Sequence, residues 1–245
     1  MSKWFMRQGG ATPRLRLFCF AYAGGNAMLY RPWQQTMDSR IEVVPVQLPG
    51  RGTRMLEPLY TEMAPLVADL AAAIAQESRV PYAFFGHSLG ALLGFEIIRY
   101  FQALQMPLPV HAFFSGCNAP QMRNASDGMH QMSDADLITR LRDFNGTPPA
   151  ILANQELMEL VLPMIRADFG LAEKYRYRSM PLLPTPFTVL AGQNDDRSSP
   201  EQVHAWQRET AVPCSVRWFD GDHFFIHDKM DPIRACIEET LRPLL

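Results

Sequence analysis

Short apolar runs recur along this chain, each closed within two residues by glycine, proline or aspartate. They are Leu15 to Tyr22, Ile41 to Gln47, Tyr82 to Phe85, Val110 to Ser115, Phe187 to Ala191 and Cys214 to Phe219, and their aromatic and β-branched content predicts strands. Between most of them the apolar period lengthens to that of a helix. Helices are predicted over Met28 to Met37, from Thr61 as N-cap with Glu62 to about Gln76, after Leu89, over Val203 to Glu209, and over Asp231 to Leu241. Strand and helix in alternation predict a mostly parallel sheet covered on both faces.

The alternation lapses between about Cys117 and Leu183. Ser133 caps a helical run to about Phe144, Gln155 to Phe169 is a second, and Ala172 to Tyr177 reads as a third. An insertion of this length, roughly residues 118–183, between two sheet strands is expected to form a helical lid over an active site. It carries Met122, Met129, Met132, Met158 and Met164. Ordinary helix packing and an adaptable lining for acyl chains both fit that pattern.

The chemistry centres on Tyr82 to Arg99. Here a strand-like run meets Gly86-His87-Ser88-Leu89-Gly90 and then an amphipathic helix, the order of a nucleophile elbow. Glycines two residues either side of Ser88 permit a turn tight enough to hold its hydroxyl exposed, and the next helix aims N–H groups at the same place. A bare Gly-x-Ser-x-Gly arises often by chance, so its specificity comes from the flanking strand and helix. His87 should project away from the hydroxyl, so it reads as a packing or supporting residue rather than the base.

A serine nucleophile needs a base, and the base needs an acid to fix its tautomer. In this order of elements they follow the serine as acid, then histidine. Gly192-Gln193-Asn194-Asp195-Asp196 follows one predicted strand, and Asp220-Gly221-Asp222-His223 follows the next. Both loops fall at strand C-termini, where active-site residues collect in open parallel sheets. His223 is therefore the candidate base, while spacing leaves Asp195 and Asp196 open. His111, His130 and His204 fall in a strand, the insertion and a helix. His227 stands four residues after His223, but no third ligand for a metal is apparent. Asp220 and Asp222 suit solvated or loop-capping roles.

Composition narrows the class further. The chain has 245 residues, 47% hydrophobic and 20% charged, which suits one globular domain spanning 1–245. A formal net charge of -2 gives no basic field for nucleic acid or a membrane surface. Arg14, Arg16 and Arg54 read as solvated surface cations, with contact to an acidic partner as the alternative. Met1 to Gly10 lacks the apolar core of a signal peptide, and no run approaches a membrane span. Cys19, Cys117, Cys214 and Cys236 show no metal-ligand or redox spacing. A cytoplasmic protein is expected.

Taken together, several motifs resemble the type II, or editing, thioesterases that accompany nonribosomal peptide and polyketide synthases, within the α/β-hydrolase superfamily. They are Phe20-Ala21-Tyr22-Ala23-Gly24-Gly25, Leu48-Pro49-Gly50-Arg51-Gly52, the elbow, Leu162-Pro163 with Arg166-Ala167-Asp168-Phe169, and Gly221-Asp222-His223-Phe224-Phe225, in that order over nearly the whole chain. The resemblance implies Ser88, Asp195 and His223 as catalytic, with Asp196 second to Asp195, and the N–H groups of Ala23 and Leu89 as the oxyanion hole. It further implies an acyl or aminoacyl thioester on the phosphopantetheine arm of a carrier protein as substrate. A monomer without metal or organic cofactor is expected. The chain departs from the family at Ala21, where proline is usual, and at Asp222, where glycine is common. Arg166 to Phe169 has no chemical role from the sequence beyond an ion pair or helix contact. A general carboxylesterase or lipase, and a non-catalytic partner of a synthase, are the alternatives.

Overall fold

The structure is a computed structural model that describes residues 2–7, 12–123, 127–144 and 146–245. The N-terminal stretch 1–10 and the insertion 118–183 therefore each include a few positions outside the described residues. The apolar runs form six strands: β1 (Leu15–Phe20), β2 (Ile41–Pro45), β3 (Tyr82–His87), β4 (His111–Ser115), β5 (Phe187–Gly192) and β6 (Cys214–Phe219). They lie side by side as β2-β1-β3-β4-β5-β6, with every neighbouring pair parallel. Position in the sheet explains the sequence of each strand. β3, β4 and β5 are buried throughout and read as continuous apolar runs, whereas β6, at one edge, exposes Ser215, Arg217 and Trp218. At the other edge Phe5 adds an antiparallel bridge to Val46.

Alternate residues of each strand feed two cores. Phe18, Phe20, Phe84, Phe114 and Val189 pack with α2 (Met63–Glu77) and α3 (Leu89–Ala103), through Leu66, Leu70, Ile74, Phe95 and Ile98. Leu17, Cys19, Phe85, Phe113 and Leu190 face Trp33 of α1 (Arg31–Thr36) and Ile233, Ile237 and Leu241 from the last helix. A period of two along the strands thus divides the apolar residues between layers.

The segment between β4 and β5 contains α4 (Asp134–Asp143), α5 (Pro149–Leu152) and α6 (Gln155–Glu173). These helices have a third core of their own, with Met129, Leu137, Leu141, Met158, Leu162, Met164 and Ile165 at its centre. Beyond it come α7 (Pro200–His204), α8 (Phe225–Asp228) and α9 (Met230–Leu241), the last covering the second face of the sheet.

Several expectations need correction. Glu62, not Thr61, stands at the N-cap of α2 without a side-chain cap bond. Pro65 in the first turn has already removed one of the donors that a cap would serve. Ala172 to Tyr177 is not a third helix; α6 continues through Glu173 and ends, because the apolar face that holds it to the sheet extends to Leu171. Arg54 is not a solvated cation. Its side chain is 3% exposed, donates to the Gln47 carbonyl at 2.8 Å, pairs with Glu57 and stacks 3.9 Å over the Trp4 ring.

Candidate active site

The elbow is built from a steric demand. Ser88 follows β3 directly and takes φ 54° and ψ -115°, a left-handed conformation that costs a non-glycine residue roughly 1–3 kcal/mol. A Cβ on Gly86 would lie 2.2 Å from the Gly90 carbonyl oxygen, and one on Gly90 would lie 2.1 Å from that of Phe20. Glycine at both positions lets β3, α3 and β1 close in, and the Ser88 N–H donates to Ser115 O at 2.8 Å. Ser88 itself stays half-buried at the end of the strand.

The loops after β5 and β6 bring the acid and the base together. His223 Nδ1 and Asp195 Oδ2 are 2.9 Å apart, and Asp195 Oδ1 accepts from the Arg197 N–H at 3.1 Å. Asp195 is 5% exposed while Asp196 faces solvent, so it is Asp195 that the structure brings to His223. Burial pushes the Asp195 carboxyl up, but the hydrogen bond and charge of His223, with the Arg197 N–H, outweigh it and hold the group below its usual range. With Asp195 accepting, Nδ1 is the donor and Nε2 is left for the substrate side.

Ser88, Leu89, Ala23 and His223 line one cavity of about 1010 Å³. Arg123, Arg140, Phe144 and Phe169 from the β4–β5 segment line it too. Of the five methionines Met122, Met129, Met132, Met158 and Met164, only Met129 lines the cavity. Met158 and Met164 are buried in the helices' own core, Met132 packs against that core, and Met122 packs against the sheet. Packing rather than acyl lining accounts for most of them. The Leu89 N–H is the first of α3, one of the donors a helix leaves without an internal acceptor. In the turn after β1, Gly24 and Gly25 N–H groups bond to Asp168 and Tyr22, whereas the Ala23 N–H enters none of the turn's hydrogen bonds. A wider groove of about 1310 Å³ beside Trp4 and α2 contains none of these groups.

His87 supports the site from beneath. It is fully buried, with Nδ1 2.9 Å from the Ser115 hydroxyl and Nε2 2.9 Å from the backbone carbonyl of His223. A carbonyl only accepts, so Nε2 carries the proton and the Ser115 hydroxyl donates to Nδ1. Burial first, and the neighbouring His223 second, push its pKa well below the ordinary histidine range and keep it neutral. The expected supporting role thus has a specific form: His87 ties the elbow to the His223 loop.

Three of the four remaining histidines hydrogen-bond to other side chains. His111 bonds Thr188, His130 pairs with Glu173, and His227 meets the Tyr22 hydroxyl at 3.0 Å. Asp222 caps its own loop by accepting from the Phe224 N–H at 2.8 Å. Sequence reasoning missed the brace from His87, by which β3 reaches both β4 and the loop after β6. It also left Arg51 without a role, although Arg51 meets Asp168 from the unexplained Arg166-Ala167-Asp168-Phe169. Arg166 holds the insertion's own chain through the Met132 carbonyl at 2.6 Å and Asp134 at 2.6 Å.

A family model described as the thioesterase domain matches residues 15–241. The chain belongs to the thioesterase family. This thioesterase is 38% identical, over 100% of its own length and 94% of the other's, to a protein of Brevibacillus parabrevis named linear gramicidin dehydrogenase LgrE. The redox word in that name finds no Gly-x-Gly-x-x-Gly fingerprint here, since β1 runs into Ala21-Tyr22-Ala23-Gly24-Gly25-Asn26. Among solved structures it is similar to the type II thioesterase BorB from the borrelidin biosynthetic cluster, with a TM-score of 0.89, 33% identity and 96% of both chains covered. YbtT, a type II thioesterase from the yersiniabactin NRPS/PKS biosynthetic pathway, aligns with a TM-score of 0.83 and 32% identity over 98% of this chain and 97% of its own. The thioesterase is a thioester hydrolase of the α/β-hydrolase fold, and among the described residues no helix is long and apolar enough to cross a membrane.

Proposed function

We propose that the whole chain, 1–245, acts as one editing thioesterase domain serving a nonribosomal peptide or polyketide synthase, with Ser88, His223 and Asp195 as its catalytic triad. The observation that carries the triad is the 2.9 Å contact between His223 Nδ1 and buried Asp195, on loops that border the cavity holding Ser88. The pathway role is supported by the printed roles of BorB and YbtT.

The substrate in this reading is an acyl or aminoacyl group on the phosphopantetheine arm of a carrier protein. His223 Nε2 takes the Ser88 proton as Oγ adds to the thioester carbonyl, and Asp195 stabilises the imidazolium. The oxyanion faces the N–H groups of Ala23 and Leu89, each donor of this kind being worth roughly 3–4 kcal/mol. The tetrahedral adduct collapses with loss of the thiolate, which takes the proton from His223. Water then adds to the acyl-Ser88 ester with His223 again as base, and a free acid leaves. No step requires a metal or organic cofactor. The insertion serves as the lid, and the enzyme works in the cytoplasm as a monomer.

The test is incubation with a panel of acyl-loaded carrier proteins, read by intact mass for loss of the acyl group. Ser88→Ala should slow that loss by roughly 10⁴-fold or more. Matched oxygen esters should turn over more slowly than the thioesters. A Ser88→Ala protein that clears carriers at the normal rate sinks the triad, and faster oxygen-ester turnover makes the enzyme a general carboxylesterase.

A further inference from the structure

We propose that Arg51 and Asp168 are positioning residues for the oxyanion hole, fixing the Ala23–Gly25 turn by hydrogen bonds to its backbone. The inference rests on the acyl-Ser88 reading above.

The turn needs outside help. β1 ends at Phe20, and no proline stiffens the chain between Phe20 and Tyr30. Its own closure is one bond, Gly25 N–H to Tyr22 O at 2.9 Å. Gly24 is left-handed at φ +77°, so the peptide on the C-terminal side of Ala23 has conformations open to it that a larger residue would forbid.

The Arg51–Asp168 pair removes that freedom. Asp168 Oδ2 accepts from the Gly24 N–H at 2.7 Å and from Arg51 Nη1 at 2.6 Å, and Oδ1 accepts from Arg51 Nη2 at 2.7 Å. Arg51 Nη1 donates again to the Gly25 carbonyl at 3.0 Å, and Nε to the Pro49 carbonyl at 3.2 Å. One partner therefore holds a donor of the turn and the other holds an acceptor one residue on. The Gly24 N–H shares a rigid peptide plane with the Ala23 carbonyl, and the Ala23 N–H shares the preceding plane with the Tyr22 carbonyl, which accepts from Gly25; pinning Gly24 and Gly25 therefore constrains Ala23, which borders the cavity beside Ser88, on both sides. The guanidinium fork and the carboxylate meet in two parallel bonds, a geometry with little angular play.

Stability alone does not account for the arrangement. The two side chains are 6% and 3% exposed, and a buried ion pair of this kind is commonly no more stabilising than an apolar pair of the same volume. What it supplies is direction, because its bonds end on the backbone of the turn. Asp168 also belongs to α6, so the helix that covers the cavity contributes directly to the shape of the oxyanion turn.

The test compares Arg51→Lys, Asp168→Asn and the paired apolar variant Arg51→Met/Asp168→Leu with the parent enzyme. Arg51→Lys keeps the charge but loses the fork; Asp168→Asn keeps the shape but loses the charge. We expect kcat to fall about ten- to hundredfold with KM within about threefold. A boronic acid forms a tetrahedral Ser88 adduct with an oxygen in the oxyanion position, and its affinity should fall by the same factor as kcat. The paired variant buries no lone charge, so it should fold and show the same kinetic loss even where a single variant does not. Folded variants with kcat and boronate affinity within twofold of the parent would overturn the inference, as would a loss confined to KM. A parent enzyme that does not depend on Ser88 would instead overturn the triad reading, and the parent and Ser88→Ala controls separate the two failures.

Discussion

The sheet edge that carries Ser88, Asp195 and His223 and the helical segment that covers it are built on different foundations. The three side chains sit where β3, β5 and β6 end, on strands locked by parallel ladders, and buried His87 ties the loop after β6 to the elbow. Helices α4 to α6 pack around a core of their own, while the end of α6, at Leu171, joins a core of the sheet. Proton transfer demands placement to a fraction of an ångström, which a hydrogen-bonded sheet provides. A small core of its own lets a segment open at lower cost than the sheet does.

The largest expected effect tests the sheet-edge half of that comparison. Asp195→Asn should lower kcat by roughly 10³- to 10⁴-fold, because the amide stabilises the wrong tautomer of His223. Asp196→Asn, at the very next residue but solvent-facing, should stay within about twofold. Steady-state hydrolysis of one acyl thioester by the two variants decides it. Equal losses would mean that the loop after β5 is mobile enough to present either acid.

The same contrast governs what the sequence made legible. The sheet could be read in advance because strands buried on both faces must be continuous apolar runs, and glycine is the only residue that fits at Gly86 and Gly90. Ser88 was marked by the elbow with its flanking strand and helix, and His223 by its loop. Spacing did not separate Asp195 from Asp196, two adjacent carboxylates on one loop that differ in burial. In the insertion, periodicity found the helices near Ser133 and Gln155, yet gave no sign of which face each would bury. The methionines illustrate this: the same five residues fit a lining or a core, and three-dimensional packing assigned four of them away from the cavity. Contacts that join distant segments, such as His87 to His223 and Arg51 to Asp168, have no local pattern to reveal them.

The covering segment can be tested through its core. Leu137 is fully buried there, and Leu137→Ala should cost about 2–5 kcal/mol of packing. If that core is an independent unit, the loss appears as faster amide hydrogen exchange in α4 and the first turns of α6, with β3 and α3 unchanged. Uniform acceleration across the sheet would show instead that cover and sheet open together, and the comparison would lose its basis.

The smallest effect is a slope, and it reports on the tie between the elbow and the His223 loop. His87 has a folded-state pKa well below that of the unfolded chain, chiefly through burial and then through the neighbouring His223. Between the two values the unfolded state binds the extra proton, so stability is full above the ordinary histidine pKa of about 6.5 and falls as the pH drops below it. The loss cannot exceed about 1.4 kcal/mol per pH unit for one group. His111, held by burial at about 4, adds a second slope of the same sign that ends near that pH. Asp195, whose pKa lies below the usual carboxylate range, contributes stability lost only at more acid pH still. Chemical denaturation of the parent and of His87→Asn from pH 7 to 5 therefore isolates the histidine terms. The variant should lose the His87 part of the slope and keep the parts of His111 and of His227, whose pKa burial also lowers, and its stability at pH 7 should be lower because the His223 carbonyl loses a well-placed donor. An unchanged slope would mean that solvent reaches the imidazole in the folded state, and a wetted His87 could not hold the base's loop as rigidly as the chemistry at Ser88 requires.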